Sequence, residues 1–127
     1  MNRAAVASDL VAIAKLLSAS PMEYVDPSTQ TTRWAKKTLM LTLGVDLSAK
    51  QIFEQFLTFQ EGSSNKFHYF GAFRLKDGTC VGGNAYGRIG YNPKAIEVAR
   101  GTDGYVISNL RQKMIDKTRK GYQVTEV

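Results

Sequence analysis

The stretch KFHYFGAFRLKDGTCV, residues 66–81, decides the fold of this chain. Its first half carries apolar or aromatic side chains at nearly every position, which predicts a strand with both faces covered. Asp77-Gly78 then predicts a β-hairpin with a primed turn, because that turn needs the positive φ that Asp-Gly adopts at low cost. The return strand is expected from Cys80 to Ile89, with a bulge or a close backbone approach at Gly82-Gly83.

The residues after this hairpin predict one more strand and one helix. The turn signal Asn92-Pro93 is followed by a strand expected at Ala95 to Arg100. A helix is expected from about Tyr105 to Lys120, capped by Thr102 or Asp103 and ended by Gly121. Its apolar face consists of Val106, Ile107, Leu110 and Met114. Strands followed by one covering helix make an α+β unit.

The first half of the chain has a more helical pattern. Val6 to Leu17 predicts an amphipathic helix, and residues 21–33 predict a linker or extended arm. Residues 34–43 fit either a strand or a buried helix. A capping box at Ser48 and Gln51 predicts a second helix up to about Gln60. We therefore expect a mostly helical N-terminal region or arm at residues 1–62 and an α+β domain at 65–127, an antiparallel sheet with one covering helix.

Composition narrows the functional classes. With 43% hydrophobic and 22% charged residues, the chain is typical of a soluble folded protein. A single cysteine, Cys80, indicates a reducing, cytoplasmic setting, and no segment is apolar enough to predict a membrane span. One histidine, His68, leaves little for a metal site or a catalytic dyad. We expect no cofactor, no metal and no enzymatic activity.

The positive charge of the chain is concentrated in its second half. Residues 66–127 carry eleven Lys and Arg against five acids, and residues 1–65 carry six of each, so the net charge of +6 arises after residue 65. A concentrated basic surface is typical of proteins that bind polyanions, because cations near phosphates release condensed counterions. The candidate contacts are Arg88, Lys94, and the lysines that share one side of the predicted helix, Lys113, Lys117 and Lys120.

The order of these motifs resembles a known family. An aromatic strand and hairpin lead to Tyr86-Gly87-Arg88-Ile89-Gly90, and a helix then ends in Lys117-Thr118-Arg119-Lys120-Gly121-Tyr122. This resembles the WGR domain, named for a Trp-Gly-Arg triplet and found in DNA-dependent poly(ADP-ribose) polymerases and in some bacterial and phage proteins. The resemblance covers about residues 65–124.

The resemblance implies an antiparallel sheet with a helix across it, DNA binding, and a bacterial or phage origin. It assigns the motif positions to Tyr86, Gly87 and Arg88, with a tyrosine where the family has tryptophan. Tyrosine keeps a flat face that can stack on a sugar or base. No polymerase domain fits in the remaining residues, so the resemblance implies no transferase activity.

Two functions are compatible with these features. The first is a non-catalytic protein that binds duplex DNA, either at its ends or internally, through Tyr86, Gly87, Arg88, Lys94 and the helix lysines. The alternative is a structural or adaptor protein that uses its basic half and the helix at Val6 to Leu17 for protein partners or self-association. The choice between DNA and RNA stays open.

Overall fold

The computed structural model of the protein describes the backbone of residues 27–125 and the side chains of residues 30–125 except that of Ser64. From Thr31 on, these residues belong to one compact unit. In chain order the elements are α1 (Pro27–Leu43), β1 (Gln51–Glu61), β2 (Ser64–Arg74), β3 (Cys80–Arg88), β4 (Lys94–Gly101), α2 (Asp103–Arg119) and β5 (Gln123–Thr125).

The strands form one antiparallel sheet in the order β4-β3-β2-β1-β5. Each of the first three strands pairs with the next one along the chain, so β1 to β4 form a meander. The chain then leaves the β4 edge, runs through α2 and returns as β5 at the opposite edge, beside β1. Helices and an open antiparallel sheet make the fold α+β, as the sequence predicts.

Each face of the sheet is covered by one helix. On one face, Ala35, Leu39 and Leu43 of α1 pack among sheet residues that include Phe67 and Tyr69. On the other face, Val106 and Leu110 of α2 pack among Leu57, Phe70, Ala72, Cys80 and Ala99. The expectation of one covering helix therefore holds for α2, and α1 adds a second layer on the opposite face.

Helix α1 includes residues for which the sequence predicts an extended arm. The linker expected at residues 21–33 is wrong from Pro27 onward, where the chain is helical; residues 21–26 and the helix predicted at Val6 to Leu17 lie outside the described residues. Proline is tolerated in the first turn of a helix because its missing N–H would have no partner there. Residues 34–43 are helical as well, and the helix ends before Gly44, which has a left-handed φ of 72°.

Strand β1 replaces the second helix predicted for the first half of the chain. The helix predicted up to Gln60 is wrong, because Gln51–Glu61 is a strand paired with β2. Phe56 belongs to the core under α1, whereas Leu57 belongs to the core under α2. Apolar residues on both faces of a strand fall at adjacent positions, and such pairs also fit one face of a helix. The compact unit that begins at Thr31 thus contains residues from both regions expected from the sequence.

The hairpin between β2 and β3 is confirmed, but its loop is one residue longer than a primed turn. Leu75 donates its N–H to the carbonyl of Thr79 (2.8 Å), which leaves residues 76–78 as a three-residue loop. Gly78 supplies the left-handed position at φ 89°, as three-residue loops require. This loop sets the register in which Arg74 pairs with Cys80 and His68 with Tyr86.

The Gly82-Gly83 pair produces both expected features. The register between β3 and β4 shifts between these two residues, which is a bulge. A Cβ atom on Gly82 would lie 2.6 Å from Val106 Cγ1, so the backbone also approaches α2 closely. Helix α2 begins at Asp103, two residues before the predicted start, and Thr102 caps it as expected, since its hydroxyl accepts the N–H of Tyr105 (3.2 Å). Across residues 27–125 neither helix has the length and hydropathy needed to cross a bilayer.

Candidate nucleic-acid interface

Three neighbouring strands place aromatic and cationic residues in one row across the sheet. His68 of β2 pairs with Tyr86 of β3, and Tyr86 pairs with Lys94 of the edge strand β4. Two residues along, Lys66 pairs with Arg88. Side chains of directly paired residues lie on the same face of an antiparallel sheet, and so do those two positions away. All five side chains therefore belong to the face that α2 covers.

The C-terminal half of α2 lies beside this row and borders an open cavity of about 410 Å³. Lys113, Lys117 and Lys120 line the cavity from the helix, and Tyr86 lines it from the sheet. Their spacing of four and three residues puts the lysines on one side of the helix. Asp116 is the only carboxylate among the lining residues that the structure describes. Four of the predicted binding residues thus meet at one cavity.

We call this surface the cationic face. It is defined by Lys66, Tyr86, Arg88, Lys94, Lys113, Lys117 and Lys120. Most of these cations are exposed, whereas Tyr86 and Lys117 are half-buried. Burial and the nearby ammonium groups of Lys120 and Lys113 lower the pKa of Lys117, and Asp116 opposes that effect. Repulsion among the three lysines is the smaller cause after burial, and a bound anion would relieve it.

The ring of Tyr86 is supported from the sheet. It stacks on the imidazole of His68 with 5.6 Å between ring centroids and 22° between ring planes. His68 in turn meets Tyr122 edge to face at 5.0 Å. An aromatic ring held in this way loses little conformational freedom on binding, which suits a stacking platform.

Arg88 lies at the exposed end of β3, where its guanidinium is 5.7 Å from the ring centroid of Tyr91. The carboxylates of Glu97 and Asp103 pair with Arg100 (2.9 Å) and Arg74 (2.6 Å), not with Arg88. Within the described part of the chain, Arg88 forms no ion pair. Its five N–H donors are well placed for a phosphate.

Not every predicted residue faces the cavity. Gly87 alternates with Tyr86 along the strand, and a Cβ on it would lie nearest Pro93 and Phe67, the latter a core residue on the α1 side. Gly87 therefore contributes backbone geometry rather than a contact surface. Two arginines of α2 do not line the cavity: Arg111 covers the ring of Phe53, and Arg119 lies 3.9 Å from Asp116.

Three members of this region are missing from the sequence prediction. Lys66 joins the cationic face opposite Arg88, and His68 and Asn84 form the buried side of the cavity. The signal that identifies Lys66 and His68 is the strand register, because each is paired with a predicted residue. That register depends on the length of the loop at residues 76–78.

Comparison with known proteins adds no assignment. No protein-family model, curated protein or solved structure matches the chain. The resemblance to the WGR domain therefore stays a prediction from the sequence.

Proposed function

We propose that this protein is a non-catalytic nucleic-acid-binding protein that contacts duplex DNA through the cationic face of a WGR-like domain. The observation that carries the proposal is that Tyr86, two lysines of α2 and Lys120 at its C-cap line one cavity, with Lys94 and Arg88 beside them on the same sheet face. Cations grouped around an aromatic ring suit a sugar-phosphate backbone, since the cations neutralise phosphates while the ring packs on a sugar or base.

Binding of this kind is largely independent of base sequence. Phosphate contacts position a protein on DNA without distinguishing bases, and the cationic face offers mainly such contacts. Five predicted cations, if each neutralises one phosphate, give a slope of about −4.5 in log K against log salt concentration. Affinity should then fall roughly 500-fold between about 50 mM and about 200 mM salt.

Fluorescence anisotropy with a short blunt DNA duplex tests the proposal. Lys117→Gln and Arg88→Ala should each weaken binding and reduce the salt slope by about 0.9. Lys76→Gln is the matched charge control, because Lys76 is exposed in the β2–β3 loop at the other end of these strands. It removes the same charge, but salt screens a charge so far from the cationic face. The affinity for the duplex should therefore stay within about twofold of that of the original protein.

The aromatic contribution needs a separate comparison. Tyr86→Ala should weaken duplex binding by about 1–3 kcal/mol without changing the salt slope, since stacking releases no counterions. Tyr105→Ala is its control, because Tyr105 is an exposed tyrosine in the first turn of α2, remote from the lysine row. Equal losses in both variants would contradict a specific role for Tyr86.

Absence of duplex binding at low salt would overturn the proposal and favour the adaptor hypothesis. That hypothesis uses the basic half of the chain together with the helix predicted at Val6 to Leu17, and this helix lies outside the described residues. A salt-independent affinity would also contradict the proposal, because it would exclude phosphate neutralisation as the source of binding.

A further inference from the structure

The cavity beside the lysine row has a buried polar wall that the proposed function does not use. His68 is 8% exposed and Asn84 is 4% exposed, and both line the cavity. Their side chains are joined by a contact of 3.1 Å between His68 Nδ1 and Asn84 Oδ1. A buried titratable ring beside three lysines calls for an account of its protonation state.

The hydrogen bonds of Asn84 determine which ring nitrogen of His68 carries the proton. Asn84 Nδ2 donates to the carbonyl oxygens of Tyr69 (3.2 Å) and Ala85 (3.0 Å), so the amide orientation is set and Oδ1 faces the imidazole. Oδ1 can only accept, and Nδ1 must therefore be the donor. In the neutral ring Nε2 is then an acceptor, and among residues 27–125 no group is hydrogen-bonded to it.

The surroundings of His68 keep this acceptor unprotonated in the free protein. Burial is the main cause that lowers the pKa of His68 to about 4, followed by the charge of Lys117; Asn84 opposes the shift and Lys120 adds to it. The other titratable groups around the ring are Tyr86 from β3, Tyr122 after α2, and Lys113 and Asp116 from α2. Most of the charge facing the ring is positive.

We propose that this cavity is a receptor for one tetrahedral oxyanion of the phosphate or sulfate type, and that His68 takes up a proton when the anion binds. The lysines supply charge-assisted donors, and protonation converts Nε2 from an acceptor into a further donor to an anion oxygen. The proton comes from solvent and no covalent bond changes. The inference rests on the same site as the proposed nucleic-acid function and gives that site a proton-linked phosphate contact.

The size of the effect follows from linkage. An opposite charge within a few ångströms raises a histidine pKa by roughly 1–3 units. A rise of about two units from the free value makes anion binding about tenfold tighter at pH 5 than at pH 8. Protonation of His68 and binding of the anion stabilise the same state of the protein, so the affinity for the anion increases as the pH falls.

Sulfate is the suitable probe, because it stays a dianion across this range and any proton taken up belongs to the protein. His68 is the only histidine of the chain, so its imidazole NMR signals need no assignment. Titrating these signals with pH, in sulfate and in chloride at matched ionic strength, gives the two pKa values. We expect the sulfate value to be higher by roughly 1–3 units.

Variants separate a proton-linked site from simple charge attraction. His68→Gln keeps an amide donor for Asn84 but cannot titrate, and it should bind sulfate with no change in affinity between pH 8 and pH 5. Lys117→Gln should weaken sulfate binding and raise the free pKa of His68, since the charge of Lys117 helps to lower it. Lys76→Gln should do neither. An unchanged His68 pKa in sulfate, or equal pH dependence in His68→Gln, overturns the inference.

The same titration with the DNA duplex distinguishes this inference from the proposed function. If the duplex raises the His68 pKa as sulfate does, backbone phosphate is the anion that the cavity takes. If sulfate raises it but no duplex binds, the receptor stands, its ligand is a free oxyanion, and the nucleic-acid proposal fails. If the duplex binds while neither ligand moves the pKa, the nucleic-acid proposal stands and the inference is overturned.

Discussion

Lowering the pH from 7.5 to 5 should destabilise the free protein through His68. The pKa of this ring falls from 6.5 to about 4 on folding, mainly because the ring is buried. Between pH 6.5 and about 4 the imidazole is protonated in the unfolded chain and neutral in the folded chain, so acid favours unfolding. The free energy of unfolding is therefore unaffected by protonation of His68 above pH 6.5, and it decreases progressively as the pH falls toward 4.

The magnitude follows from the same two pKa values. The full shift would lower the free energy of unfolding by about 2 kcal/mol at pH 5 and by about 3 kcal/mol at pH 4. Water reaches this region through the open cavity and screens part of the effect, so we expect about 1–2 kcal/mol at pH 5. Carboxylates such as Asp46 and Asp77, whose pKa values are lowered by hydrogen bonds to Ser48 and Thr79, add their own acid dependence.

Urea unfolding of the full chain and of His68→Gln, at several pH values between 7.5 and 5, isolates the histidine. The variant loses the ring contacts to Tyr86 and Tyr122 and should be less stable at every pH, but its stability should fall less steeply with acid. The difference between the two slopes is the quantity tested, because carboxylates contribute equally to both proteins. Parallel curves, or an NMR pKa of 6 or more for His68, would refute the reasoning.

Three further substitutions test the fold that carries the site, each by chemical denaturation. Gly83→Ala should cost about 3 kcal/mol, because its Cβ would lie 2.4 Å from the carbonyl oxygen of Ile96, a backbone atom that cannot easily move; an unchanged midpoint would contradict this close approach. Thr102→Ala should cost about 1 kcal/mol by removing the cap on the N–H of Tyr105; an unchanged midpoint would show that water replaces it. Tyr69→Phe should cost about 1–2 kcal/mol through loss of its two side-chain hydrogen bonds, and a neutral result would contradict that role.

The parts of the fold predicted correctly are those in which one local signal dominates. Residues 67–73 carry an aromatic or small side chain at every position, and all seven are buried in the strand that they predict. Helix α2 has a cap at Thr102, a stop at Gly121 and an apolar stripe, and all three agree. When propensity, capping and period point to one structure, few alternatives compete with it.

The errors occur where tertiary context overrides the local pattern. Phe56 and Leu57 are adjacent because β1 buries both of its faces, yet their spacing from Ile52 and Phe53 also fits a helix. The polar residues near the start of α1 suggest an arm, but Thr31 and Thr32 are buried in the structure. Neither outcome can be deduced without knowing which elements cover them.

The candidate site was predicted in part for a related reason. Tyr86 and the α2 lysines carry their own signals, an aromatic-Gly-Arg triplet and a helical lysine spacing, and the structure brings them to one cavity. His68 carries no such signal. A two-residue turn would have paired Tyr86 with Tyr69 and moved His68 to face Gly87, whereas the three-residue loop at 76–78 puts His68 opposite Tyr86.

The glycine pair in β3 links the fold to the chemistry of the site. A Cβ on Gly82 would approach Val106 Cγ1 to 2.6 Å and Leu110 Cδ1 to 3.0 Å, so any side chain there would push α2 away from the sheet. Lys117 lies two turns beyond Leu110 on the same rigid helix, and a displacement at Leu110 would carry its ammonium away from His68. These glycines do not form a phosphate loop, but they set the distance at which the lysines act on the buried ring. That distance governs the part of the lowered His68 pKa that Lys117 adds to the effect of burial, and the strength with which the cavity can attract an anion.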